Sequence, residues 1–312
     1  MPVFHPDLAV GRFIPPFSFG PRLARMMRRG IPSVPPTPDD VVIEEVRAPA
    51  TDASPAVSLR VYRPKAAAPA TAPRPALFWI HGGGFIGGSP EQDERTSIAF
   101  VQELGITVVA LRYRLSPDHA APAALHDAYA GLRWLFDHAA ELGVDSGRIA
   151  VGGASAGAGL AAGLVLYSHD LGEVAPAFQL LVYPMLDDRT VTRTDLDTRH
   201  VRVWTAGSNR FAWTSYLGQE PGGADVSHYA APARREDLAG LPPAWIGVGT
   251  LDLFHDEDVR YAERLTEAGV PCELFLVDGA FHGFDALFRR AGVTDEFWRE
   301  QARALRAGLA IS

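Results

Sequence analysis

A single cysteine, Cys272, occurs in the 312 residues, which excludes an internal disulfide framework and any metal site built from cysteines. Its neighbours between Val270 and Gly279 are mostly apolar, so it reads as a buried structural thiol. Positive charge is also scarce. Lys and Arg number 29 against 37 Asp and Glu, and the formal charge of -8 opposes a nucleic-acid partner, because phosphate binding calls for a basic face. No apolar run approaches the roughly 20 residues that cross a bilayer. The N-terminal stretch MPVFHPDLAVGRFIPPFSFG lacks the basic start and apolar block of a secretory leader. The expectation is a soluble cytoplasmic protein without membrane insertion. There is no G-x-x-x-x-G-K-S/T phosphate loop and no internal repeat. The one low-complexity tract runs from Ala66 to Pro75, rich in alanine and proline, and reads as an exposed loop between two strands.

What is present is the patterning of an α/β protein. Hydrophobic residues make up 47% and charged residues 21%, which fits neither disorder nor a fibrous class. Apolar runs of strand length begin at Val57, Ala76, Ile106, Arg148, Phe178, Ala244 and Cys272. Segments of helical period lie between them, a sequence of elements that implies βαβ units and a mostly parallel sheet. Leu125, Ala128, Leu132, Leu135 and Phe136 form one helical stripe, and Val259, Ala262 and Leu265 another. Two regions break the alternation. Residues 1 to 45 are punctuated by prolines and hold one short basic helix candidate, Pro21 to Gly30; residues 187 to 237 carry Trp204, Phe211, Trp213 and Tyr216 without a strand pattern. Both suit packing decoration, and together they suit a lid.

The stretch Gly153-Ala154-Ser155-Ala156-Gly157 fits G-x-S-x-G where the chain passes from a strand into a helix. A serine on so sharp a turn needs small neighbours, and every residue flanking Ser155 from Gly152 to Gly159 is glycine or alanine. The following helix directs its positive end at the serine oxygen. Gly157-Ala158-Gly159-Leu160-Ala161-Ala162 also fits a G-x-G-x-x-A dinucleotide fingerprint, so this stretch alone admits both readings. The acidic residue expected about 20 positions on is not well placed: Asp170 and Glu173 come early, Asp187 late.

A second motif separates the two. His81-Gly82-Gly83-Gly84-Phe85 ends an apolar strand, and its glycines expose backbone N–H groups that can donate to an oxyanion. His282 and Asp252 each follow a strand, at the carboxyl edge where parallel sheets build sites. The order Ser155, Asp252, His282 is that of a hydrolase triad. Asp256 and Asp258 fall where a helix starts, so capping and dipole roles account for them. His255 has no second histidine at helical spacing to share a metal. His5, His119, His126, His138, His169, His200 and His228 read as surface or structural.

These motifs, with YRLSPDHAAPAALHDAYAGLRWL, LLVYPMLDDR, GTLDLFHDED and GAFHGF, resemble the hormone-sensitive-lipase-like family of α/β-hydrolase carboxylesterases from about residue 40 onward. The resemblance implies an α/β-hydrolase fold: a mostly parallel eight-stranded sheet flanked by helices, with a helical cap. One catalytic domain is expected, with an N-terminal cap segment 1–45, core 46–186, cap insertion 187–237 and core 238–312. It implies Ser155 as nucleophile, His282 as base and Asp252 as its orienter, with the N–H groups of Gly83, Gly84 and Ala156 as oxyanion hole and His81 as a loop-shaping residue. Phe85, Trp204, Phe211 and Trp213 are the candidates for the substrate pocket. The expected reaction is hydrolysis of short- to medium-chain carboxylic esters through an acyl-enzyme, with a small-molecule ester as partner, no cofactor and no metal. A homodimer is left open. Two departures stand out: the family commonly has an acidic residue before the serine and a proline after the triad aspartate, where this chain has Ala154 and Leu253. Two other classes compete, a dinucleotide-dependent oxidoreductase and a non-catalytic binding protein on the same fold. The second would be signalled by loss of a triad residue, and all three are present.

Overall fold

The computed structural model describes residues 3–29, 34–65 and 72–311. Residues 66–71 of the alanine-proline run, and Gly30 at the end of the basic helix candidate, lie outside the described residues. Eight strands form one sheet: β1 (Val41–Ala48), β2 (Val57–Pro64), β3 (Arg74–Ile80), β4 (Thr107–Arg112), β5 (Val144–Ala154), β6 (Phe178–Val182), β7 (Ala244–Gly249) and β8 (Cys272–Val277). Their order is β1-β2-β4-β3-β5-β6-β7-β8. The β1–β2 and β2–β4 pairs are antiparallel and all others parallel.

The helices are α1 (Pro21–Arg29), α2 (Glu94–Leu104), α3 (Ala123–Asp137), α4 (Ala156–Leu171), α5 (Ala206–Leu217), α6 (His255–Glu267), α7 (Phe284–Leu287) and α8 (Gly292–Gly308). Alternation along each strand divides the core between two faces. Ala76, Phe78 and Ile80 of β3 join the cluster built with α3, α4 and α6, whereas Leu77 and Trp79 join the cluster built with α2 and α8. A strand covered on both faces is apolar at every position, and Leu77, Phe78 and Ile80 are all fully buried. No helix among the described residues is long and apolar enough to cross a membrane.

Strand β1 is not among the runs legible in the sequence. It pairs on one side only, its burial alternates irregularly, and Glu44 and Glu45 lie exposed at its centre. Residue 45 falls inside it. Cys272 is half-buried in β8, and burial pushes its thiol up to about 12.

The two irregular regions pack on each other. The Phe19 amide donates to Ser208 Oγ at 2.9 Å, and the Ser18 and Thr205 hydroxyls are 2.9 Å apart. Helix α5 lies within the second region, and its aromatic side chains Trp213 and Tyr216 are buried. The first region also reaches the loops after β3 and β8: Arg28 Nε donates to the Ile86 carbonyl at 2.7 Å, and the His5 amide donates to the Gly279 carbonyl at 3.0 Å.

Helix α6 carries a cost that its sequence conceals. Asp258, in its first turn, is fully buried, and neither carboxyl oxygen has a hydrogen-bond partner among the described residues. Its side chain therefore neither caps the helix nor meets solvent as its place in the sequence suggests. Withdrawal from water, with the charges of Glu257 and Asp252 behind it, holds this carboxyl well above the ordinary aspartate range. The folded chain keeps the proton at pH values where the unfolded chain has released it. Stability from this group is complete below about pH 4 and falls as the pH climbs toward the folded value. Asp258→Asn keeps the shape and removes the ionisation. We expect denaturant unfolding to show a smaller loss of stability between about pH 4 and pH 8 in the variant than in the parent; equal losses would refute the assignment.

Candidate active site

Strands β3, β5, β6, β7 and β8 run parallel and so deliver the segments that follow them to one edge of the sheet. Ser155 stands between β5 and α4 at φ 57°, ψ -122°. A positive φ is rare for a residue with a side chain and costs about 1–3 kcal/mol, so neighbouring structure must enforce it. Part of that structure is the close entry of α4 beneath β3: a Cβ on Gly157 would run into the carbonyls of Ile80 and His81. The rest is pairing, since the Ser155 amide donates to the Val182 carbonyl at 2.9 Å.

The loops after β7 and β8 bring two further side chains to the serine. Ser155 Oγ lies 2.9 Å from His282 Nε2, and His282 Nδ1 lies 2.8 Å from Asp252 Oδ2. The other carboxylate oxygen of Asp252 accepts the Phe254 amide at 2.9 Å. All three residues are buried, with exposures of 8%, 5% and 6% for Ser155, His282 and Asp252. Water therefore screens this chain of hydrogen bonds little. A carboxylate at Nδ1 holds the proton on that nitrogen and leaves Nε2 free to accept from the serine hydroxyl. Asp256 turns elsewhere, to Arg193 at 2.9 Å on the surface.

The glycine loop lies across from the serine. Gly83 and Gly84 have φ of 118° and 62°, and their amides have no acceptor among the described residues. Ala156 is the first residue of α4, where a helix N–H has no intrahelical acceptor. His81 is buried under the loop. Its Nδ1 donates to the Gly82 carbonyl at 2.8 Å, its ring stacks on Tyr113 at 4.3 Å, and burial pushes its pKa down to about 4.

The pocket candidates separate by position. The Trp204 indole covers Gly84 so closely that a Cβ there would collide with it, and its ring centre is 6.1 Å from that of His282. Phe19 from the first irregular region lies against Trp204 at 5.5 Å. Phe85 is buried and stacks on Tyr216 at 3.8 Å, with Trp213 at 5.9 Å, one layer behind the loop. Phe211 is a partly buried member of the α5 packing and makes no ring contact with the histidine.

Two aromatic neighbours of His282 are not among the candidates read from the sequence. Phe254 and Tyr183 meet its ring edge to face at 5.1 Å and 4.8 Å. Tyr183 follows β6 at φ 36°, and its hydroxyl donates to Asp285 Oδ1 at 2.9 Å. Burial holds the phenol well above its ordinary pKa, so it remains a donor. The only hint is its place after a strand in the run Phe178 to Pro184. Among the described residues no three His, Cys, Asp or Glu side chains group around a metal position.

Comparisons with known proteins agree with this architecture. A family model described as the alpha/beta hydrolase fold matches residues 77–286. The chain is 36% identical over 233 residues to esterase LipI of Mycobacterium tuberculosis, covering 73% of this chain and 71% of that protein. It is 33% identical over 238 residues to ethyl acetate hydrolase of Pseudomonas putida, covering 72% and 70%. Among solved structures, bacterial heroin esterase superposes with a TM-score of 0.87 at 38% identity, covering 99% of this chain and 98% of that one. Sheet topology, the turn after β5 and these matches define an α/β-hydrolase. Within that class the chain belongs to the hormone-sensitive-lipase-like family of carboxylesterases.

Removing the Tyr183 hydroxyl tests the tie between β6 and the histidine loop. Tyr183→Phe leaves Asp285 Oδ1 without its donor, and an expected loss of about 1–3 kcal/mol in urea unfolding follows from the unmade bond. No loss would mean that the hydroxyl and carboxylate do not meet in solution.

Proposed function

We propose that this chain hydrolyses carboxylic esters through an acyl-enzyme formed on Ser155. The observation that carries the reading is the unbroken run from Ser155 Oγ through His282 to Asp252, at 2.9 Å and 2.8 Å, on a serine held at positive φ. Ser155 Oγ attacks the ester carbonyl carbon while His282 Nε2 takes its proton. The carbonyl oxygen becomes an oxyanion and accepts from the N–H groups of Gly83, Gly84 and Ala156. Collapse of the tetrahedral adduct breaks the bond to the alcohol oxygen, which takes the proton from Nε2. Water then attacks the acyl group by the same route and frees the serine. Asp252 stays ionised and fixes the imidazole tautomer throughout. This machinery needs no cofactor.

The residues present give Ala154 no part in the proton transfers, since every group they require is supplied elsewhere. Ser155→Ala is expected to leave a folded protein with turnover lowered by roughly 10⁶, and Asp252→Asn one lowered by roughly 10⁴. A fluorophosphonate should label the parent on Ser155. Mass spectrometry that places the adduct on another residue would overturn the assignment.

Residues 3–29, 34–40 and 187–237 act as the cap in this reading, since residues 41–45 belong to β1. Phe19 packs on Trp204, which covers Gly84 beside the His282 ring, and this supports a closed pocket for short and medium acyl chains. The name of the Pseudomonas putida relative, ethyl acetate hydrolase, favours the same size range. An apolar pocket gains about 0.8 kcal/mol for each methylene it buries and loses that gain when the chain meets a wall. Across p-nitrophenyl esters of graded length, kcat/KM is expected to rise from acetyl to a maximum at short or medium length and then fall. Trp204→Ala should move the maximum to longer chains while acetyl hydrolysis stays within about tenfold, since a short acyl group gives up little contact. An unmoved maximum would make Trp204 a packing residue only.

A further inference from the structure

On the face of the sheet covered by α2 and α8 lies a cavity of about 460 Å³ whose walls include neither Ser155 nor His282. That volume is within the range of small-molecule sites. Asp93 and Asp285 line it from separate elements, the turn before α2 and helix α7. Each commits one oxygen internally: Trp79 Nε1–H donates to Asp93 Oδ2 at 2.8 Å, and the Tyr183 hydroxyl to Asp285 Oδ1 at 2.9 Å. Gln92 adds a side-chain hydrogen bond to the Asp93 carboxylate, and the amides of Asp285 and Ala286 add theirs to Asp285, but a carboxylate offers about four acceptor sites.

An independent feature points to a missing molecule. Gln301 also lines the cavity and is only 4% exposed, yet its amide has no hydrogen-bond partner among the described residues. Polar side chains buried to that degree are almost always paired. The indoles of Trp79 and Trp298 complete the wall, and aromatic faces attract organic cations. Withdrawal from water, with the Asp285 charge adding to it and the Trp79 and Gln92 hydrogen bonds and the Arg289 charge opposing it, pushes Asp93 up to about 6. A positive group lodged between the two carboxylates relieves that repulsion. Asp295, Arg95, Arg289 and Arg299 also reach the cavity, but from exposed positions where salt screens them, and Arg289 Nε donates to the Ala286 carbonyl at 2.9 Å.

We propose that this cavity binds a small primary organic ammonium ion, whose N–H groups donate to Asp93 Oδ1, Asp285 Oδ2 and the Gln301 carbonyl while its hydrocarbon part lies against the two indoles. The site is distinct from the serine cleft but adjoins it. Ala154, the residue before Ser155, and Tyr183, whose ring meets His282, are both in its wall. An acidic side chain at position 154 would point a third charge at this space, and alanine leaves it open.

The test uses the full chain with benzylammonium chloride, benzyl alcohol and sodium benzoate as cationic, neutral and anionic probes of one shape. Calorimetry is expected to show the ammonium binding at least about tenfold more tightly than the alcohol, and no binding of benzoate, as a charge-assisted hydrogen-bond site requires. In the parent protein the six tryptophan indole N–H signals report location. Those of Trp79 and Trp298 should move on titration while that of Trp204 stays. Asp93→Asn and Asp285→Asn should each weaken binding by at least about tenfold. If either variant fails to fold, the indole map and Gln301→Leu, which should also weaken binding, decide the matter. Shifts confined to Trp204 would place the probe in the serine cleft, equal affinity for benzyl alcohol would remove the role of charge, and tighter binding of benzoate would assign the site to the arginines. Each of these overturns the proposal.

Discussion

The closeness of α4 to the end of β3 governs the geometry at this edge of the sheet. Helix and strand meet where only hydrogen fits between the Gly157 backbone and the carbonyls of Ile80 and His81. That contact fixes the height at which α4 begins, and hence the turn that forces Ser155 to positive φ. It also fixes the start of the glycine loop, because the residue whose carbonyl touches Gly157 is the histidine that opens it. The serine and the amides opposite are set by one packing distance, and the residues responsible are backbone atoms that cannot swing away. A core at crystalline density keeps such a distance within tenths of an ångström.

The parallel strands were legible because burial on both faces leaves a strand few polar positions, Gln179 being the one in β6. Phe178 to Val182 and Ala244 to Gly249 are buried throughout, and so read as strands from composition alone. Strand β1 had no such signal. An edge strand with one neighbour and one solvated face tolerates Glu44 and Glu45, and its pattern dissolves into the proline-rich region before it. Ser155, Asp252 and His282 could be singled out because each follows a strand, and the structure brings them within hydrogen-bond reach. Their surroundings could not. That Trp204 rather than Phe211 covers the glycine loop depends on how residues 199 to 205 cross the edge, a path without periodicity. The isolation of Asp258 is equally invisible in sequence, since what sets it apart is the lack of a contact.

Two kinds of structure share the site. The sheet edge supplies Ser155, Asp252 and His282, the proposed reacting groups, on short connections from buried strands, so their relative positions inherit the stiffness of the core. The roof comes from segments held mainly by hydroxyl pairs and ring contacts: Ser18 with Thr205, Phe19 with Ser208 and Trp204. Single contacts of this sort are each worth about 1 kcal/mol. The proposed chemistry and the shape of the space above it are thus set by different elements of the chain.

The contacts of the first thirty residues have a consequence for how the protein is made. Phe4 packs on Phe281 at 6.2 Å, and the His5 amide bonds the Gly279 carbonyl. These partners lie far apart along the chain, and Gly279 and Phe281 leave the ribosome long after Phe4 and His5. Phe4 and His5 lack the partners of these contacts until β8 and the loop that carries His282 have emerged and joined the sheet. Closing so long a loop comes late in folding because its entropy is recovered only by contacts that the rest of the molecule must first provide. During synthesis Phe4 and His5 therefore wait longer for their partners than Arg28 and Ser18, whose contacts at Ile86 and Thr205 come earlier in the chain.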